Sequence, residues 1–221
     1  MPAPCIDELL LADDPQRWSQ AGFAVADGCC ALGAVRLRFL ESTDARGIVG
    51  WSLRDIASTE LDGLPTTHSE RPSPTVGAPA GDSPRAHPNG ALAIDHVVAM
   101  SPALDRSVAA LQRAGLRLRR IREQPTPAGA PRQAFFRLGS EILELIQVPD
   151  EALPRMGGVA SGARFWGLAL RARDLERTVA LLGDHAGTIR AAVQPGRRIV
   201  TLRRAAGLAL PVAFISEPER S

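Results

Sequence analysis

The chain has 221 residues, 45% of them hydrophobic and 23% charged, with 26 basic side chains against 24 acidic ones. That is long enough to bury a core as one large or two small domains. The near-balanced charge and 4% aromatic content argue against a nucleic-acid surface, so no nucleic-acid partner is expected. Every basic residue is arginine and tyrosine is absent, which excludes lysine Schiff-base chemistry, a P-loop lysine and a tyrosine general acid.

No apolar run approaches the roughly 20 residues that span a bilayer, so no membrane partner is expected. The opening Met1-Pro2-Ala3-Pro4-Cys5 lacks a basic start and reaches Asp7 and Glu8 at once, which makes the cytoplasm the expected compartment. Cys5, Cys29 and Cys30 have no zinc spacing and are expected as reduced, partly buried thiols.

In chain order, Ile6 to Ala12 reads as a strand, and a short helix around Asp14-Pro15-Gln16-Arg17-Trp18 ends at Ala21-Gly22. Strands are predicted at Phe23 to Ala26, Ala34 to Leu40 and Gly47 to Leu53. Residues 57–90 are rich in Pro, Gly and Ser without an apolar period, and a mobile linker is expected there, with His68 and His87 solvated. Leu92 to Met100 is a strand, Ser101-Pro102 starts a helix carrying Leu104, Val108 and Leu111, and Ala114-Gly115 stops it. Strands follow at Leu116 to Ile121, Arg132 to Leu138 and Glu141 to Val148.

The last segment repeats that order. Phe165 to Arg171 is a strand, Asp174 to Gly183 a helix with Ala186-Gly187 beyond it, and strands lie at Ile189 to Val193, Arg197 to Arg203 and Leu208 to Ile215. One strand, one helix and three strands thus occur three times, as modules at 1–56, 91–150 and 163–216, an α+β arrangement of βαβββ units. Sliding Leu104-Asp105-Arg106 onto Leu175-Glu176-Arg177 sets His96 against Gly167, and Ile6-Asp7-Glu8 sets Glu8 against His96.

Ile94-Asp95-His96-Val97-Val98, followed by Ile142-Leu143-Glu144-Leu145-Ile146, resembles the glyoxalase-like (vicinal oxygen chelate) family. That resemblance implies βαβββ modules paired into curved, bowl-shaped mixed β-sheets with helices outside, as in the glyoxalase, bleomycin-resistance and dihydroxybiphenyl dioxygenase proteins. It also implies a divalent metal in the bowl, held by the first and last strands of each module, with His96 and Glu144 as ligands. Modules pair either within one chain or across a homodimer.

Alternation places Ile94, His96 and Val98 on one face and Ile142, Glu144 and Ile146 on another. A carboxylate in so apolar a run needs a partner or a cation, and imidazole with carboxylate is an ordinary divalent-metal pair. The other reading of the same residues is a core histidine and a glutamate paired with one of the arginines. Gly167 and a position near Ala213 offer no ligands in the last module, so Glu8 is the candidate third ligand for Mn, Fe, Zn or Mg.

Arg132, Gln133 and Phe135 are candidates for lining a pocket for an acidic or aromatic ligand, or form a half-exposed strand with phenylalanine in the core. Arg197 to Arg204 reads as a solvated edge strand, His185 as a surface or capping residue, and Trp18, Trp51 and Trp166 as core anchors. Three functions follow from the resemblance, one of them a regulatory or assembly role with an empty bowl. Another is a metal-dependent lyase, isomerase or dioxygenase acting on a small oxygenated molecule, with Glu144 as ligand or base. The third is a non-catalytic protein that binds or sequesters a small molecule without metal.

Overall fold

The computed structural model of the chain describes residues 3–41, 44–71, 86–125 and 129–217, and the middle of the expected linker lies outside them. The N-terminal part contains β1 (Cys5–Ala12), α1 (Pro15–Gln20), β2 (Val25–Ala26), β3 (Cys29–Leu32), β4 (Val35–Phe39), β5 (Gly47–Arg54) and β6 (Thr66–His68). The remainder contains β7 (Ala91–Ser101), α2 (Leu104–Arg113), β8 (Arg117–Arg122), β9 (Gln133–Leu138), β10 (Glu141–Gln147) and α3 (Leu153–Met156). It continues with β11 (Arg164–Ala172), α4 (Leu175–Leu182), β12 (Arg190–Ala191), β13 (Arg198–Thr201) and β14 (Val212–Ser216). The architecture is mixed, curved β-sheet with few helices, as the α+β expectation had it.

Two sheets form. One has the order β2-β3-β4-β1-β5-β6 and the other β12-β13-β14-β11-β7-β10-β9-β8. In the larger sheet the first strands of the two modules, β7 and β11, lie antiparallel at the centre, and each is flanked by the parallel last strand of its own module, β10 or β14. The central and C-terminal modules therefore pair within one chain.

The N-terminal sheet holds a pair as well. There β1 lies antiparallel to β5 and parallel to β4, and β5 is parallel to β6. The backbone repeats in detail, because Trp51 N–H donates to Pro65 O at 3.1 Å as Leu168 N–H donates to Pro211 O at 3.0 Å. Thus β5 and β6 stand where β11 and β14 stand in the other sheet. In pairing they match the first and last strands of a fourth module, without the helix and two middle strands between them. This corrects two expectations: Gly47 to Leu53 is not the last strand of the first module, and residues 57–90 are not solvated throughout.

His87 shows why that segment holds structure at its end. It is buried, its Nδ1 accepts from Ala24 N–H at 2.9 Å, its Nε2 lies 2.8 Å from Ala31 O, and its ring meets Phe23 edge-on. Burial lowers its pKa below the ordinary imidazole value. His68 is exposed but paired in β6 opposite Leu53.

A single apolar core joins both sheets and runs through Trp18, Leu37, Trp51, Ile94, Val97, Leu111, Leu143, Leu170 and Phe214. Full burial of each aliphatic side chain contributes roughly 1.5–3 kcal/mol. Trp18 and Trp51 anchor it as expected, Trp51 meeting Phe165 at 5.0 Å between ring centroids, whereas Trp166 is 45% exposed. The reason is local: Phe165 faces Ala99 and Gly167 faces Val98, so Trp166 is an extra residue bulged out of β11. The thiols of Cys5, Cys29 and Cys30 are free, and burial, with Cys29 alongside, pushes Cys30 up to about 12.

Glu141, at the start of β10, is 2% exposed, and burial raises its carboxyl pKa although Ser140 Oγ donates to it. A raised carboxyl binds protons more tightly folded than unfolded, so its contribution is best at low pH and is lost as pH rises through the folded-state value. Glu141→Gln is expected to raise the melting temperature at pH 8 by about 2–4 °C, corresponding to about 1 kcal/mol. The gain closes towards pH 4, and thermal melts across that range check it.

Candidate functional site

The site begins with a break in strand alternation. On β7, Ile94 faces Leu170 and His96 faces Ala169, so Asp95 is an extra residue opposite one step of β11. A bulge of this kind turns two successive side chains to one face. Ile94, Val97 and Ala99 belong to the core, and Asp95 and His96 both line a cavity of about 370 Å³ in the larger sheet. The expectation that Ile94 shares the face of His96 is corrected by this bulge.

The cavity is also lined by Arg119, Arg120, Phe135, Ile142 and Gln194. A second bulge supplies the two arginines. Leu118 faces Phe136 and Arg120 faces Phe135, which leaves Arg119 as the extra residue of β8. The Arg120 guanidinium lies 4.8 Å from the centre of the Phe135 ring, a cation–π contact. Among the described residues, neither Arg119 nor Arg120 has an acidic partner within 4.0 Å.

A chain of polar contacts crosses the bowl. Arg197 Nη2 donates to Asp95 Oδ2 at 2.7 Å, Asp95 Oδ1 lies 2.9 Å from His96 Nδ1, and His96 Nε2 lies 3.3 Å from Glu144 Oε2. Gln133 Nε2 donates to the other Glu144 oxygen, and Gln133 Oε1 is buried without a partner among the described residues. Burial pushes the Asp95 carboxyl up, but hydrogen bonds from His96 and Arg197, with their charges, outweigh it and hold it at about 2. Asp95 is therefore an anion that only accepts, which makes His96 Nδ1 the donor and turns Nε2 to Glu144.

Burial raises the Glu144 pKa, opposed by His96, Gln133, Arg120 and Arg122.

Sequence reasoning missed Asp95 and Arg197. Arg197, expected on a solvated strand, is 9% exposed, its Nε donates to Ser216 O at 2.7 Å and its Nη1 to Gln194 Oε1 at 2.7 Å. The signal available for Asp95 was two adjacent polar residues inside an apolar strand, Ile94-Asp95-His96-Val97, a pattern that alternation forbids without a bulge. Leu118-Arg119-Arg120-Ile121 carries the same signal.

Of the expected ligand-contacting residues, Phe135 lines the cavity and Gln133 holds Glu144. Arg132 turns away, bound to Glu123 at 2.7 Å and Asp105 at 3.0 Å, because it precedes β9 at the exposed end of the sheet. His185 is exposed.

His96 and Glu144 come together, but Glu8 does not join them. It lies in the N-terminal sheet, buried, with Arg36 and with Arg38 at 2.8 Å. Register explains its partners. Glu8 occupies on β1 the place of His96 on β7, one residue past a bulge at Asp7, and Arg38 occupies on β4 the place of Glu144 on β10. The N-terminal bowl is therefore closed by an ion pair.

Gly167 cannot supply a third ligand either. A Cβ there would stand 2.6 Å from Pro211 O, backbone that is itself hydrogen-bonded. Among the described residues no three His, Cys, Asp or Glu side chains converge on one point. Catalytic zinc sites use three protein ligands and an open position. The pair His96 and Glu144, with Asp95 committed to Nδ1 and Arg197, does not fit a resident divalent metal.

A model of the glyoxalase-like domain family matches residues 94–219, and the chain belongs to that family. Among solved structures, a variant of 4-hydroxymandelate synthase from Streptomyces coelicolor is similar with TM-score 0.66 at 15% identity, covering 100% of this chain and 94% of that one. A xylose isomerase-like TIM barrel/4-hydroxyphenylpyruvate dioxygenase fusion protein is similar with TM-score 0.63 at 14% identity, over 100% of this chain and 50% of that one. Methylmalonyl-CoA epimerase from Mycobacterium tuberculosis has TM-score 0.46 at 18% identity, over 59% of this chain and 91% of that one. The first two of these show likeness of fold alone. Comparison with curated proteins gives no match.

Two outcomes follow from the geometry. Gly167→Ala is expected to destabilise the fold by about 2 kcal/mol through displacement at Pro211, measured by urea unfolding. Asp95→Asn leaves the buried Arg197 charge unpaired and is expected to cost about 3 kcal/mol at pH 7. A depressed carboxyl contributes above its unfolded value of 3.8 and loses that contribution as pH falls towards about 2, so the two proteins converge in acid.

Proposed function

We propose that the chain is a small-molecule-binding protein of the glyoxalase-like fold whose bowl works without a resident metal. The observation that carries this reading is a cavity of about 370 Å³ lined by Asp95, His96, Arg119, Arg120, Phe135 and Gln194. Such a pocket lies within the size range of small-ligand sites and combines an aromatic wall with a few convergent polar groups. His96 serves as a fixed polar wall, its ring held from one side by Asp95 and from the other by Glu144.

A second reading is favoured by one contact. The approach of His96 Nε2 to Glu144 Oε2 at 3.3 Å, beside a cavity, suits proton transfer to or from an oxygenated ligand, the isomerase or lyase class. Solvent deuterium incorporated into a bound ligand by the wild type and not by Glu144→Gln would establish it.

Metal content decides the main proposal. Gently purified protein is expected to hold substoichiometric Mn, Fe, Zn and Mg, and adding each ion should leave the melting temperature unchanged. An ion bound specifically at 100 times its Kd would stabilise the fold by about 2.7 kcal/mol, a shift easily seen. Stoichiometric metal that disappears in His96→Ala would overturn the proposal in favour of a metal-dependent enzyme.

A further inference from the structure

The two arginines of the β8 bulge have a chemistry that the binding pocket alone does not specify. Strands normally send neighbouring side chains to opposite faces, so two successive arginines at one cavity require a bulge, and β8 has one at Arg119. Two arginines near the bowl are neutralised, Arg197 by Asp95 and Arg132 by Glu123 and Asp105. Among the described residues, Arg119 and Arg120 are not. Phe135 under Arg120 fixes the plane of that guanidinium without consuming its N–H donors.

Resting on the small-molecule reading above, we infer that Arg119 and Arg120 form an oxyanion subsite, so that the ligand carries a carboxylate or phosphate at one end. Guanidinium groups bind both through paired N–H donors, and Arg119 and Arg120, exposed on β8, present theirs at the cavity mouth. The rest of the ligand then lies along Phe135 and Ile142 towards Asp95 and His96. At the far side the fixed Asp95 anion disfavours a second negative group. The ligand class is therefore a small molecule with one anionic end and a neutral, hydrogen-bonding other end.

The test uses the full chain and four probes in calorimetric titration at low salt: benzoate and phenyl phosphate, with benzamide and benzyl alcohol as neutral counterparts. Wild type is expected to bind at least one charged probe at least tenfold more tightly than its neutral counterpart. The tighter of benzoate and phenyl phosphate tells carboxylate from phosphate.

Arg119→Gln/Arg120→Gln should lose that preference, whereas Arg117→Gln on the same exposed strand should keep it. Circular dichroism and melting temperature establish that both variants fold; if the double variant does not, the single Arg119→Gln, the bulged residue, replaces it and should weaken charged-probe binding at least threefold. Equal binding of charged and neutral probes by wild type would overturn the subsite, as would an unchanged preference in the folded arginine variant. Neutral and charged probes binding equally well would leave the pocket standing and remove only the oxyanion end. No binding of any probe, with stoichiometric metal, would remove both readings.

Discussion

Antiparallel strands can pair residue for residue, and when they do, adjacent side chains must face opposite ways. In β7 and β11 they do not, because Asp95 has no counterpart across the ladder. That one unmatched residue turns a carboxylate and an imidazole to the same side, allows Asp95 to fix His96 Nδ1, and brings Arg197 across from the neighbouring module to neutralise it. Glu144 then meets an imidazole whose orientation is already set. Each later feature of the bowl depends on the geometry of this pairing, and the pairing itself is held by the apolar face beneath, where Ile94, Val97 and Ala99 are fully or almost fully buried.

The two sheets show how one backbone plan carries different chemistry. Asp7 is bulged from β1 against β5 as Asp95 is from β7 against β11. At the two positions that follow in register, one sheet has Glu8 and Arg38 and the other has His96 and Glu144. The first pair is a carboxylate with a permanent cation. The second sets an imidazole beside a carboxyl whose pKa burial raises, the side-chain types that serve in proton transfer. Only the sheet with the titratable pair also carries the unneutralised arginines of β8.

Most of the fold was legible in the sequence because the strands and helices of the modules follow apolar period and glycine stops. Gly115, with φ of 91°, ends α2 where the sequence placed the stop, and Asp174 caps α4 by accepting from Arg177 N–H at 3.0 Å. The fourth module was not legible, since β5 and β6 have no helix between them and the equivalence shows in strand pairing and in the backbone hydrogen bonds at Pro65 and Pro211. His96 and Glu144 were visible as polar residues in apolar strands. Arg197 was hidden because a basic run looks the same whether it faces water or an internal carboxylate, and that choice is made by a partner more than a hundred residues away.

One contact between the halves has a further consequence. Asp62, at φ of 49°, accepts from Arg106 Nε at 2.8 Å and from Ser107 Oγ on α2, and its carbonyl accepts from Ala163 N–H at 2.6 Å just before β11. Beside it Gly63 and Gly162 pass so closely that a Cβ on Gly63 would stand 2.8 Å from Gly162 Cα. A residue of the N-terminal half therefore ties together both modules of the other half, at a crossing too tight for any side chain. The segment 94–219 shares its core with residues that precede it. Loss of structure in either sheet strips the latch from the other, so the pair is expected to melt as one cooperative unit rather than as two domains in succession.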